Sequence, residues 1–124
     1  MPQGDRGESQ RMAQELFGLI FSKVITQGLG VVAELGIADL LKDGGRSIAS
    51  LAGSSGVHER SLYRVMRTLA GSGIFTESSP AHFELTPLAE PLLADSPNSL
   101  RDFAIFAGNR VHNAAYAGVV YEAR

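Results

Sequence analysis

Residues 46–87 read RSIASLAGSSGVHERSLYRVMRTLAGSGIFTESSPAHFELTP, and this stretch decides the fold. It contains two segments with helical apolar periodicity, separated by a glycine-rich turn. Two short β-branched or aromatic runs follow, on either side of a Ser-Pro turn. The pattern predicts a helix, a turn, a second helix and a β-hairpin, which together make a winged helix.

Each predicted helix of this unit has one apolar face. On the first helix this face consists of Ile48, Leu51 and Ala52, and on the second of Leu62, Val65, Met66 and Leu69. Ser47 is the expected N-cap, Gly53 and Gly56 are expected to bracket the turn, and Gly71 and Gly73 to end the second helix. The expected wing strands contain Ile74, Phe75, Phe83 and Leu85.

Composition predicts one globular domain of 124 residues with 44% apolar and 19% charged residues. Cysteine is absent, which excludes disulfides and thiolate metal sites and is typical of a cytoplasmic protein. The first ten residues lack a hydrophobic signal core, and polar residues interrupt the apolar region that follows. We therefore expect no targeting segment and no membrane span.

The chain divides into a flexible tail over residues 1–9 and a winged-helix dimerisation domain over residues 10–124. From about residue 10 to residue 34 the pattern predicts one long helix, or two stacked pieces joined at Gly28 and Gly30. Its apolar residues cover about half of the helix circumference, whereas docking on a single domain requires about 100°. The helix is either the centre of its own bundle or packs against a second copy of the chain. We favour a homodimer, with an interface formed by Phe17, Ile20, Phe21, Val24, Ile25 and Leu29.

Beyond the wing, helix start signals occur twice. Thr86 is expected to cap a helix with Pro87 at its first position, and its inward-facing residues are Leu88, Leu92 and Leu93. Residues 96–99, Ser-Pro-Asn-Ser, start the next helix, whose pattern is interrupted at Gly108 and Asn109. The final segment reads as helix to the last residue without a terminating signal, which is typical of a chain cut within or just after a helix.

A winged helix most often binds DNA, and Arg60, Arg64 and Arg67 lie on the helix that would enter the groove. The net charge is −2, however, and no lysine or arginine occurs between Arg67 and Arg101. That interval contains Glu77, Glu84, Glu90 and Asp95. Acidic groups on a wing would repel phosphates, so the charge pattern argues against a DNA partner.

The sequence indicates no catalytic, cofactor-binding or metal-binding residue. Residues 28–33 match G-x-G-x-x-A, but the second strand with a terminal acidic residue that a dinucleotide site requires is missing. The glycines are better explained by close approach of another helix. Asn109, His112 and Tyr116 would share one helical face, which indicates either ordinary surface polarity or the lining of a pocket.

An ordered series of segments resembles the N-terminal dimerisation domain of S-adenosylmethionine-dependent O-methyltransferases, of the caffeic-acid and hydroxyindole type and their bacterial natural-product branch. The resemblance covers about residues 12–124, and the segments that carry it read VVAELGIADLL, SIASLAGSSGVHERSLYRVMRTLAGSGIFTE, HFELTPLAEPLL and SLRDFAIFAG. It implies a mainly α-helical winged helix, with a helix-turn-helix, a short β-hairpin wing and long N-terminal and C-terminal dimerisation helices.

The resemblance also implies a function. The domain would dimerise and line the acceptor pocket, with Phe106, Asn109, His112 and Tyr116 bordering a small aromatic hydroxyl substrate. Tyr116 stands where the family usually has another aromatic residue, often Trp.

The family's catalytic Rossmann-like domain is absent from this chain. S-adenosylmethionine is therefore expected to serve the full enzyme, while this chain binds no cofactor and methylates nothing alone. It is either a truncation, which we favour, or a natural stand-alone dimer module. The alternative function is a dimeric winged-helix DNA-binding transcription regulator, since the winged helix alone is shared with regulators of the IclR and MarR type.

Overall fold

The computed structural model describes residues 3–110 of the chain. These residues are mainly helical and include a small antiparallel sheet with strand order β1-β3-β2. In chain order the elements are α1 (Gln3–Leu35), α2 (Ile37–Leu41), β1 (Arg46–Ser47), α3 (Ile48–Ser55), α4 (Glu59–Gly71), β2 (Phe75–Ser79), β3 (His82–Leu85), a 3-10 helix (Pro87–Leu92) and α5 (Arg101–Arg110).

Helix α1 is continuous and includes Gly28 and Gly30 without a break. It begins at Gln3, so residues 3–9, which we expected to form a tail, are helical, and the side chains of residues 6–10 are exposed. An ion pair between Glu8 and Arg11, with 3.8 Å between charged atoms, joins successive turns there. The helix is about 50 Å long, far longer than the body of the domain requires.

The core lies where the C-terminal third of α1 meets α2, α3, α4 and the sheet. Its largest fully buried side chains are Phe75, Phe83, Ile37, Leu51, Met66, Leu69 and Val32. The apolar faces predicted for α3 and α4 are all buried except Val65, which is half-buried against the core. The N-terminal half of α1 does not contribute to this core.

The ends of α3 agree in part with expectation. The Ser47 side chain accepts a hydrogen bond from the Ser50 N–H at 3.1 Å and caps the helix as predicted. Gly56 ends it with φ of 70°, a left-handed conformation that glycine adopts without strain. The prediction that Gly53 brackets the turn is wrong, since Gly53 lies inside α3.

The Glu77 carboxylate links the hairpin of β2 and β3 to α4 by a hydrogen bond. One oxygen accepts hydrogen bonds from the Tyr63 hydroxyl at 2.6 Å and from the Ala81 N–H at 2.8 Å. Ala81 has a φ of 61°, a value that residues other than glycine rarely adopt. The bond from its N–H therefore stabilises an unfavourable turn between the strands. The two-residue strand β1, which the sequence did not indicate, pairs with β3 at Arg46 and Ser47.

Three predictions for the residues that follow β3 need correction. Thr86 precedes the predicted helix start, but its hydroxyl donates to the carbonyls of Gly73 and Ile74 instead of capping, and the helix is a 3-10 helix. Leu88 is 61% exposed and does not face inward, whereas Leu92 is buried. Helix α5 continues through Gly108 and Asn109, because Gly108 is used for a close helix contact.

Truncation of the central aromatic residue of the sheet tests this core. Phe83 is fully buried and meets the Tyr63 ring edge to face, with 5.9 Å between ring centroids. We expect Phe83→Ala to lower the free energy of unfolding by about 3–5 kcal/mol, since it leaves a cavity. Urea denaturation followed by circular dichroism measures the change, with exposed Thr76→Ala as control. A loss below about 1 kcal/mol for Phe83→Ala would contradict the position of the core.

Candidate functional site

Helix α1 exposes a row of large apolar side chains. Phe17 and Ile20 are 64% and 66% exposed, and Phe21 and Val24 are 37% and 44% exposed. The rings of Phe17 and Phe21 stack with 5.7 Å between their centroids. Soluble monomers rarely leave such a continuous apolar surface in contact with water. This row is the main candidate for an interaction surface.

The six residues expected at a dimer interface fall into two groups. Phe17, Ile20, Phe21 and Val24 are exposed. Ile25 and Leu29 are half-buried and pack against the core of their own domain. The structure therefore places the exposed row beside the core, and its contact with a second copy stays a prediction.

Helices α1 and α5 cross at Gly30 and Gly108. A methyl group added to Gly30 would lie 3.1 Å from the Cα of Gly108, and one added to Gly108 would lie 3.0 Å from the Cα of Gly30. The Arg101 Nε donates a hydrogen bond to the Ala33 carbonyl at 3.0 Å and ties the start of α5 to the last turns of α1. For Gly30, this contact confirms the prediction that the α1 glycines permit close approach of another helix.

An apolar groove of about 430 Å³ runs between α1, the 3-10 helix and α5. Its walls include Leu29, Leu88, Pro91, Leu92, Leu100 and Phe103. Leu88, Leu100 and Phe103 are 61%, 54% and 65% exposed at its rim. Among the lining residues that the structure describes, Thr26 alone has a polar side chain. We call this feature the apolar groove.

The residues expected to border an acceptor pocket are described only in part. Phe106 is 56% exposed on α5. Asn109 is exposed and lines a shallow depression of about 250 Å³ beside Gly30 and Glu34. His112 and Tyr116 lie outside the described residues. The role of all four residues in substrate binding stays a prediction.

Arg60 and Arg64 on α4 are exposed, whereas Arg67 contacts neighbouring side chains. Arg67 lies 3.7 Å from a Glu77 carboxylate oxygen, and its guanidinium lies 5.7 Å from the centre of the Tyr63 ring. Arg64 borders a depression between α4 and α1. Arg67 is therefore paired with a carboxylate on β2, and α4 packs beside α1.

The contacts of Glu77 change two pKa values. The hydrogen bond from Tyr63, with help from the Ala81 N–H and Arg67, lowers the pKa of Glu77 below its ordinary value of 4.5. The same hydrogen bond, together with partial desolvation, raises the pKa of Tyr63 above 10.0. The ionised Glu77 and the neutral Tyr63 are thus the forms that the folded hairpin favours.

Over residues 6–35, α1 is long enough and apolar enough to cross a membrane, judged by length and composition alone. Its last third, however, includes Val32 and Ala33, which are buried in the domain core. The C-terminal end of this helix therefore belongs to the domain core, while most of its apolar stretch is exposed. The expectation that the chain has no membrane partner stays a prediction.

Comparison with known proteins identifies the class. Residues 16–95 match the O-methyltransferase dimerisation domain. Phenazine O-methyltransferase PhzM of Lysobacter antibioticus is 39% identical over 114 residues, which are 92% of this chain and 33% of that enzyme. The crystal structure of LaPhzM superposes with a TM-score of 0.79 at 39% identity, over 90% of this chain and 33% of its own.

A second solved structure carries ligands. It is the O-methyltransferase NcsB1 from neocarzinostatin biosynthesis, in complex with S-adenosyl-L-homocysteine and 1,4-dihydroxy-2-naphthoic acid. It superposes with a TM-score of 0.59 at 32% identity, over 63% of this chain and 24% of its own. The chain spans a third or less of these relatives. It belongs to the dimerisation domains of S-adenosylmethionine-dependent O-methyltransferases, and its relatives are bacterial natural-product enzymes.

The crossing of α1 and α5 provides one test. We expect Gly30→Ala to lower the free energy of unfolding by about 1–3 kcal/mol, because the new methyl group meets the Gly108 backbone. Gly18→Ala is the matched control, since no atom lies within 4 Å of the added methyl group. It should raise stability by about 0.5–1 kcal/mol through helix propensity. Equal effects of both substitutions in urea denaturation would contradict the close crossing.

The lowered pKa of Glu77 provides a second test. Its contribution to stability is complete above the ordinary carboxyl pKa and is lost as the pH falls through the lowered pKa of the folded state. Glu77→Gln should therefore destabilise the domain near pH 7, and its difference from wild type should shrink at pH 3. Urea midpoints at both pH values measure this, with Glu84→Gln on β3 as control. A difference independent of pH would show that the ionised carboxylate does not stabilise the hairpin.

Proposed function

We propose that the chain forms a homodimer through α1 and lines the acceptor pocket of an S-adenosylmethionine-dependent methyltransferase acting on a small aromatic hydroxyl compound. The observation that carries the proposal is the exposed apolar row Phe17, Ile20, Phe21 and Val24. Burying the exposed half of one such side chain contributes about 1 kcal/mol. A second copy with the same row could cover all four.

The proposed acceptor wall lies next to this dimer helix. Phe106 and Asn109 are on α5, which crosses α1 at the Gly30 and Gly108 contact. An aromatic ring and an amide suit a flat hydroxylated substrate, because the ring stacks and the amide forms hydrogen bonds. The complex of NcsB1 with a dihydroxynaphthoic acid supports an aromatic acceptor.

The cofactor is proposed to bind elsewhere in the full enzyme. S-adenosylmethionine would supply the methyl group for the substrate oxygen, and no described residue of this chain is assigned to it. In the proposed mechanism, a histidine of the catalytic domain of the full enzyme acts as general base. The residues of this chain orient the acceptor and exclude water. Absence of cysteine is consistent with a cytoplasmic location, which we propose.

We interpret α3, α4 and the hairpin as a winged helix that serves as a scaffold. Two features support a structural role over DNA binding. Arg67 pairs with Glu77 of the wing, and Glu84 lies exposed on β3 of the same wing. A wing with these carboxylates would repel a phosphate backbone.

A charge placed in the exposed row tests the dimer. Ile20→Glu should weaken dimerisation at least tenfold, because the carboxylate would have to be buried without a partner. Sedimentation velocity over a range of concentrations measures the dissociation constant. Ala49→Glu, which adds the same charge at an exposed position of α3, is the control and should leave it unchanged.

Two outcomes would overturn the proposal. One is sedimentation of the wild type as a monomer at every concentration up to about 100 μM, which is far above the dissociation constants of stable dimers. The other is dimerisation of Ile20→Glu as tight as that of Ala49→Glu, which would place the interface on another surface.

A further inference from the structure

Helix α5 lies antiparallel to α1, and the two helices stay in contact over two turns. At the start of α5, the Arg101 Nε donates to the Ala33 carbonyl at 3.0 Å. Two turns later, a methyl group added to Gly108 would lie 3.3 Å from the Thr26 carbonyl oxygen. The contact with Gly30 lies between these points. Helix α5 therefore runs along α1 from the domain core toward the exposed half of α1.

A row of exposed apolar side chains continues the α5-facing surface of α1 toward its N-terminus. Met12, Leu16 and Leu19 are 52%, 58% and 69% exposed. At about 100° per residue, all three lie within about 40° of the direction of Gly30, which contacts α5. They lie about 100° or more around the helix from Phe17. We call these three residues the N-terminal row, and the proposed dimer surface does not include them.

We infer that residues 111–124, which lie outside the described residues, cover the N-terminal row of the same copy by continuing α5 as an antiparallel helix along α1. The segment has the required length. Its fourteen residues would extend a helix by about 21 Å, and Met12 precedes Thr26 by the same number of residues.

The residue types of this segment suit the contact. Where α5 meets α1 in the described part of the chain, the residues are small, namely Ala104 and Gly108, and their backbone atoms lie close to α1. The same helical spacing continues to Val111, Ala115 and Gly118, which are again small or aliphatic. Charged side chains at these positions could not be buried against the N-terminal row without a large cost. The segment therefore extends the pattern through which α5 already packs on α1.

The inferred helix would also carry two residues that are predicted to border the acceptor. His112 and Tyr116 follow Asn109 by three and seven residues, so they would share its side of the helix. Asn109 lines a depression beside Glu34 of α1. The continuation would place all three side chains along α1. The inferred contact lies within one copy, so it does not depend on the proposed homodimer.

Cysteine pairs test the contact, because the chain has no natural cysteine. Continuing the register of Arg101 with Ala33 and of Gly108 with Thr26 brings Ala115 opposite Leu19. The double variant Leu19→Cys, Ala115→Cys should therefore form a cross-link within one chain when a short bifunctional maleimide is added to a dilute solution. Mass spectrometry and a denaturing gel distinguish this product from a covalent dimer.

Gly18→Cys combined with Ala115→Cys is the matched control. Gly18 is exposed and lies about 100° around the helix from Leu19. The Leu19 pair should cross-link at least about tenfold faster than the Gly18 pair, since the contact holds its two thiols together. Circular dichroism would verify that both double variants are folded.

Hydrogen exchange on the unaltered chain supplies a second measurement, which needs no variant to fold. Amides of residues 111–124 should be protected, because they would be hydrogen-bonded in a packed helix. Their protection should be the same at high and at low protein concentration, since the inferred contact is made within one copy.

Four results would overturn the inference. They are equal cross-linking of the two folded pairs, a covalent dimer in place of an internal cross-link, rapid exchange of residues 111–124 at every concentration, and protection of these residues that disappears on dilution. The second and fourth results would assign the segment to the surface of a partner copy. A monomeric wild type with the internal cross-link would refute the proposed homodimer and support this contact, so the two failures are distinguishable.

Discussion

The structure depends on one long helix, of which only the C-terminal part packs on the domain core. Helix α1 extends from Gln3 to Leu35, yet its residues that pack on the described core begin at Ile25. The preceding turns carry large side chains such as Phe17 and Ile20 in contact with water. Hydrophobic burial is the dominant favourable term in association, so this exposed half constitutes a driving force for a second chain. The C-terminal part of the helix, which packs on the core, holds the exposed part in position.

The contact between α1 and α5 connects this surface to the region proposed to bind the acceptor. Gly30 and Gly108 let the two backbones touch, and Arg101 bonds to the carbonyl of Ala33. Side chains of any size at the two glycines would separate the helices. The position of α5 is therefore set by the helix that is proposed to carry the dimer, and one rigid junction can serve both tasks.

Sequence periodicity predicted the parts of the fold that local chemistry controls. The Ser47 cap, the left-handed Gly56 and the buried Met66 and Leu69 follow from spacing and residue type. Periodicity did not reveal the pairing of β1 with β3, because a two-residue strand has no pattern of its own. It also misjudged Leu88, whose exposure depends on the 3-10 geometry of its helix.

For the candidate site, the sequence predicted the exposed apolar surface but not the groove. The apolar surplus of α1 is visible from the sequence, but the division between core residues such as Leu29 and exposed residues such as Phe17 depends on where the helix leaves the domain. The apolar groove could not be foreseen, since it is assembled from three elements distant in sequence. The ion pair of Arg67 likewise depends on the position of Glu77 on β2, which the sequence alone does not give.

Hydrogen exchange along α1 at several protein concentrations tests the central claim most directly. If a second copy covers the N-terminal half, amides of residues 12–24 will exchange slowly at high concentration and much faster on dilution below the dissociation constant. Amides of residues 30–35, held by the domain core, will change little. Equal and rapid exchange of residues 12–24 at every concentration would show that the exposed half of α1 remains in water, and would contradict the account.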